Sequence, residues 1–173
     1  GNDNTASGVR ALWRNTTGNG NTAVGIVALK MNSGSENTVL GGHALVGNLN
    51  GSQNTVLGFK AGASSTTGSH NVYIGYRAGD NTTYANQSNK LVIANGNTLS
   101  DELISGSFSE HVVDINGTLN VQGELTTAGD ATIGGTLHAQ VNMPSDARLK
   151  KDIQPLTHAL DAILQLEGKT YRW

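Results

Sequence analysis

The chain has no cysteine among its 173 residues, which excludes disulfide cross-links and thiolate metal sites alike. It is also poor in charge. Lys, Arg, Asp and Glu together make up 14% of it, against about 25% in an ordinary globular protein. The formal net charge is −2 and no basic stripe is present, so there is nothing to neutralise a phosphate backbone and no nucleic-acid partner is expected. Apolar residues reach only 36%, below the usual range of about 45–50%, and no run of about 18 apolar residues occurs, so no membrane-inserted segment is expected. No signal peptide is visible. A chain poor in both apolar and charged residues but of low net charge does not match disorder, which needs high net charge. It does match solenoids and fibres, where backbone hydrogen bonds and polar ladders carry the structure.

What is abundant is glycine, at 23 copies, closely followed by asparagine and threonine. These residues fall into a repeat. Gly1-Asn2-Asp3-Asn4-Thr5-Ala6-Ser7-Gly8 recurs as Gly18–Gly25, Gly34–Gly41, Gly51–Gly58 and Gly68–Gly75, at spacings of 17, 16, 17 and 17 residues. The pattern is G-x-x-N-T-x-x-G followed by x-x-A-[LG], with Ala11, Ala28, Ala44, Ala61 and Ala78 in the alanine slot. Each unit is too short for a helix pair. Its core run, such as Thr38-Val39-Leu40, is bounded by glycines and reads as a short strand between tight turns. One unit cannot bury its apolar side chains, but stacked units can. Stacking predicts a ladder of Asn4, Asn21, Asn37, Asn54 and Asn71, with amides bonded to backbone or to neighbouring coils. The chain starts inside a repeat and so reads as a fragment.

The run N-T-A-V-G-x-x-A-L at this period resembles the head repeats of trimeric tail-fibre and adhesin proteins. It is also similar to the shorter repeats of trimeric autotransporter heads, which form parallel β-rolls. The resemblance covers residues 1–79 and implies a homotrimer.

Residues 80–116 read as a β-rich connector. Asp80 to Asn89 is a polar loop, followed by strand candidates at Lys90–Ala94, Leu103–Phe108 and His111–Gly117. A second repeat of period 12 follows, with Gly117–Leu125 matching Gly129–Leu137. In it Leu119/Val121 and Ala131/Ile133 alternate with polar residues. Two such strands are too little for a monomer, so residues 117–144 are expected to form an intertwined three-chain shaft. The fold class expected is therefore all-β: a trimeric β-roll or β-solenoid head, then a β-fibre shaft, then a short helical C-terminal segment.

From Ser145 the composition changes abruptly. Leu156, Leu160, Ile163 and Leu164 fall at helical spacing, Pro155 suits a first turn and Gly168 a stop. Residues 145–173 read as the opening of a truncated domain. The segment Ser145-Asp146-Ala147-Arg148-Leu149-Lys150-Lys151-Asp152-Ile153 closely resembles the start of the intramolecular chaperone domain of phage tail fibres and tailspikes, S-D-x-R-x-K-x-x-I. Asp152 stands where that family usually has asparagine. The resemblance implies a domain that trimerises, guides folding of the upstream fibre and then cuts itself off before Ser145, with Lys150 as the base. A serine hydroxyl needs such a base, and burial lowers a lysine toward neutrality.

No cofactor or metal site is expected, since His43 and His70 occupy different repeat slots. Asp3, Glu36 and Asp80 do not form a glycosidase pair. Tyr73, Tyr76, Tyr84, Phe59 and Trp13 fit either a sugar-binding surface or coil packing. The function these features indicate is a structural, adhesive fibre on a virion tail or bacterial surface. Its expected receptor is a surface glycan or other cell-envelope component, and turnover is limited to a single self-cleavage. The alternatives are a depolymerase tailspike whose catalytic head lies elsewhere, and an ice-binding solenoid presenting Thr5, Thr22, Thr38 and Thr55.

Overall fold

The computed structural model describes residues 1–132 and 134. They are nearly all β, with five coils of a β-solenoid and a single 3-10 turn at Leu99–Asp101. The strands are β1 (Thr5–Ser7), β2 (Thr22–Val24), β3 (Thr38–Leu40), β4 (Thr55–Leu57), β5 (Val72–Ile74), β6 (Lys90–Ala94), β7 (Glu102–Ser107) and β8 (Val112–Ile115). They form one eight-stranded sheet in chain order. Strands β1 to β6 pair in parallel, and β6, β7 and β8 pair antiparallel. The register follows the repeat, Thr5 to Thr22 to Thr38 to Thr55 to Val72. The parallel ladder then runs one rung past the last repeat, pairing Val72 with Leu91.

Strands β2 to β6 point their middle residue inward, as period-2 alternation requires. Ala23, Val39, Val56, Tyr73 and Val92 are buried there, beside the alanine column Ala28, Ala44, Ala61 and Ala78. A coil of 16 or 17 residues must turn sharply, and it does so with left-handed residues. Leu12, Leu29 and Leu45 adopt φ of 50°, 46° and 48°, a conformation costly for a residue with a β carbon and held here by the stack. The glycine column Gly8, Gly25, Gly41, Gly58 and Gly75 lies against the next coil, where a β carbon would strike backbone. Backbone bonds between coils continue outside the strands, for example Leu29 N–H to Ala44 O at 3.0 Å.

The asparagine ladder forms as expected. Nδ2 of Asn21, Asn37 and Asn54 donates to Oδ1 of the preceding asparagine at 3.1, 3.0 and 2.9 Å. The same Nδ2 atoms donate to Gly34, Gly51 and Gly68 carbonyls, each at 3.0 Å. Each Oδ1 also accepts the backbone N–H of the following asparagine, as Asn54 Oδ1 does from Asn71 at 3.0 Å. Two further columns run beside it. Asn32 and Asn48 donate to Asn15 and Asn32 Oδ1 at 3.2 and 2.8 Å. The hydroxyls of Ser35, Ser52, Ser69 and Ser88 each accept a backbone N–H from the coil before, at 3.0 Å.

The polar stretch after Asp80 is a chain of turns, but it is not solvated throughout. Tyr84 is buried, sits 6.3 Å from the Tyr73 ring and donates its hydroxyl to Glu102 Oε2 at 3.0 Å. It therefore closes the end of the solenoid core against β7. The strand expected at Lys90–Ala94 is present, and the next two differ from expectation by one or two residues at their ends. Residues 118–132 carry no strand and are exposed in the single chain. An amphipathic strand without a partner face has neither ladder bonds nor burial to hold it. The expected C-terminal helix, and shaft residues 133 and 135–144, lie outside the described residues.

Candidate functional site

The outward-facing strand positions make the most distinctive surface of the head. Strand residues flanking the buried middle position point out, giving one column of Thr5, Thr22, Thr38 and Thr55 and another of Ser7, Val24, Leu40, Leu57 and Ile74. Two residues beyond, at the corner past the glycine column, lie Val9, Ile26, Phe59 and Tyr76, all exposed. Leu40 is 48% exposed, Leu57 45% and Phe59 46%, so these large apolar side chains stand in water next to one another along successive coils. Phe59 and Tyr76 stack at 6.1 Å with an interplanar angle of 7°, and His43 meets Phe59 edge-on at 5.8 Å. Isolated exposed apolar residues are ordinary; a column that repeats on every coil is a contiguous stripe of the kind that marks an interaction surface.

The threonine column ends at Val72, and the column beside it is apolar rather than a second threonine row. That arrangement lacks the paired rows of an ice-binding face. Two of the carboxylates singled out in the head are held by local hydrogen bonds. Asp80 is buried and committed, accepting from Ser64 Oγ at 2.7 Å and Arg77 Nε at 3.0 Å. Glu36 accepts from Gln53 Nε2 at 2.9 Å. Among the described residues there is no group of three or more His, Cys, Asp and Glu side chains able to hold a metal ion, and no helix is long and apolar enough to cross a membrane.

The aromatic residues separate into two sets. Tyr73 and Tyr84 are core residues, and burial raises both phenol pKa values well above the ordinary 10.0. In Tyr84 the hydrogen bond to Glu102 adds to that rise. Phe59, Tyr76 and Trp13 face solvent. Trp13 is surrounded by cations, with the Arg10 guanidinium 5.1 Å, Arg14 5.7 Å and the Lys30 ammonium 5.5 Å from the ring centre. Sequence reasoning noted Trp13 but missed the cations. Arg10 and Arg14 lie near it in sequence, but Lys30, one repeat period on, meets it only when the coils are stacked.

Ser145 and Lys150, the residues expected to carry self-cleavage, lie outside the described residues. A family model described as the chaperone of endosialidase matches residues 145–173. Neither the curated proteins nor the solved structures contain a match. A solenoid head joined to a segment similar to that chaperone family fits the architecture of phage tail fibres and tailspikes.

Proposed function

We propose that this chain is a segment of a parallel homotrimeric fibre that recognises a cell surface or host receptor by binding rather than turnover. The apolar stripe of the head carries this reading. A solenoid one coil wide has a small core, much of it asparagine and alanine, and it leaves Leu40, Leu57 and Phe59 in water. Three copies set around an axis parallel to the stack would cover that stripe. A fully buried side chain of this size contributes about 1.5–3 kcal/mol, and the coils repeat the contribution along the axis. The exposed, unpaired residues 118–132 would find their strand partners in the same assembly.

The C-terminal segment is the second part of the proposal. Residues 145–173 begin a chaperone that aligns three chains before the thin fibre folds, and which then cleaves itself before Ser145. Ser145 acts as nucleophile and Lys150 takes its proton. The protein would sit on a virion tail or a bacterial surface, with a surface glycan or other cell-envelope component as receptor.

Light scattering on the purified chain tests the assembly. A mass three times that of the chain is expected, and a stable monomer at micromolar concentration would sink the proposal. A glycan array with product analysis tests the mode of action: bound glycan should be recovered intact.

A further inference from the structure

Trp13 lies at the edge of an open recess of about 590 Å³ built by three successive coils. Its lining is apolar at Trp13, Met31 and Leu49 and polar at Thr16, Ser33 and Asn50, with the Arg14 guanidinium beside them. Arg14 Nη1 lies 3.9 Å from Met31 Sδ, which places its charge over the recess. Arg10, Arg14 and Lys30 all approach the same indole, and among the described residues the one salt bridge is Arg77–Asp80, far along the stack, so no described carboxylate pairs with any of the three cations. The π face of an indole attracts each cation by about 0.5–1 kcal/mol at an exposed site, while the three like charges repel one another. Such a cluster gains most from an added anion. An aromatic platform in a lining part apolar and part hydroxyl- and amide-bearing suits a pyranose ring, whose C–H face is apolar and whose edge is hydroxylated. The planar guanidinium suits a carboxylate.

We infer that the recess between Trp13 and Leu49 binds an acidic saccharide, a pyranose bearing a carboxylate. This rests on the adhesive reading above and names its ligand class. The sugar's apolar face lies against Trp13 and Met31, its hydroxyls meet Ser33 and Asn50, and Arg14, supported by Arg10 and Lys30, takes the carboxylate. Single sites of this openness bind weakly, and three copies on one fibre raise the avidity by about 10²–10⁴-fold where geometry allows simultaneous engagement.

The test uses the full chain carrying Trp173→Phe, which leaves Trp13 as the only tryptophan. Its fluorescence is followed during titration with tetragalacturonate and with sialyllactose, and with the methyl ester of each. At least one acid should shift the emission saturably. Its neutral ester should bind about tenfold or more weaker, as should Arg14→Gln with the acid, since one charge-assisted hydrogen bond is lost in each case. Binding should also fall with added salt. Silence toward every acid, or equal binding of acid and ester, overturns the site. A surface-binding assay with Trp13→Ala separates the two levels. Adhesion that persists unchanged in that variant overturns this site and leaves the fibre reading standing, whereas a wild type that adheres to nothing removes the fibre reading itself.

Discussion

Tyr73 and Gly79 are fitted to each other: a β carbon on Gly79 would stand 2.7 Å from Tyr73 Cδ1. Gly62, in the coil before, meets the other edge of the same ring, where its β carbon would lie 2.8 Å from Cδ2. In earlier coils this slot holds Leu12, Leu29 and Leu45, and the inward strand residue is Ala or Val. The exchange is one of volume. Where the strand supplies a tyrosine, the turn on each side gives up its leucine, and the coil keeps its cross-section. Gly79 also has φ of 68°, so alanine there meets both a clash and a strained backbone. Gly79→Ala should cost about 1–3 kcal/mol, read as a lower urea midpoint. Tyr73→Val alone should cost about 3 kcal/mol or more through the cavity left. Adding Gly62→Leu to Tyr73→Val should recover part of that loss, and strict additivity would show that the two sites are not coupled.

The Tyr73 hydroxyl is buried near that of Ser65, and among the described residues it has no hydrogen bond of ordinary geometry. Removing it by Tyr73→Phe should therefore be neutral or stabilising by about 1 kcal/mol. Burial raises the Tyr73 pKa above the ordinary 10.0, so the folded state keeps its proton when the unfolded state has lost it. Stability is then full below about pH 10 and falls as pH rises beyond it, by about 1.4 kcal/mol per pH unit for each such tyrosine. Tyr84, raised by burial and by Glu102, adds to the same slope. Melting curves between pH 9 and 12 should show this loss, and Tyr73→Phe should reduce its steepness.

The asparagine ladder should be least tolerant in its middle. Asn37 is fully buried, and its Oδ1 accepts both the backbone N–H and Nδ2 of Asn54. Asn37→Ala strands the Asn54 N–H in the core as well as deleting two donated bonds, and should cost about 2–4 kcal/mol. Asn4 is half-buried at the start of the ladder, where water can substitute, and Asn4→Ala should cost about 1 kcal/mol. Equal losses at the two positions in denaturant titrations would show that the bonds do not act as a buried column.

The apolar stripe makes a sharper demand on assembly. A Leu57→Asp, Phe59→Asp double variant places charges on two adjacent stripe positions while leaving the inward residues of the coil untouched. It should shift the mass in light scattering from trimer toward monomer, since a charge buried in an interface without a partner is costly. Circular dichroism should retain the β signal at the same concentration. A trimer that withstands both charges would locate the interface elsewhere.

Much of this architecture is legible in the residues themselves. The coil period, the inward Val39 and Val56, the Ala column and the Asn ladder follow from a repeat that places like residues in register, because stacking turns sequence period directly into contact. Two features are not visible in that way. The extra rung at Lys90–Ala94 lies beyond the last copy of the G-x-x-N-T pattern, and Tyr84 occupies the slot of Asn15, Asn32 and Asn48 two residues later than the period predicts. An irregular closing coil is chosen by what it must cap, here the exposed end of the Tyr73 ring, and a repeat pattern carries no information about its own end. The charge around Trp13 is hidden for a different reason. Arg10, Arg14 and Lys30 are not a motif in one dimension and converge only once one coil is laid on the next.

Self-cleavage gives the remaining prediction. In the protein carrying its complete chaperone domain, the bond between Pro144 and Ser145 should be cut. Ser145→Ala removes the hydroxyl nucleophile and should abolish the cut, and Lys150→Ala should do so by removing the base that accepts its proton. The two losses should not add, because nucleophile and base act as one unit. Trimer formation should survive both changes, since the proposed assembly rests on the apolar positions Leu156, Leu160 and Ile163 and on the stripe of the head, not on Ser145 or Lys150. Ser145→Cys distinguishes chemistry from structure: a thiol is the stronger nucleophile and depends less on a base, so it should restore some cleavage in the Lys150→Ala background. Denaturing electrophoresis reads every case as one band or two. Cleavage at this bond in Ser145→Ala, or an intact wild type, would make Ser145 a domain-boundary residue. The solenoid reading would survive, because it rests on the register of the repeat in strands Thr5–Ser7 to Lys90–Ala94.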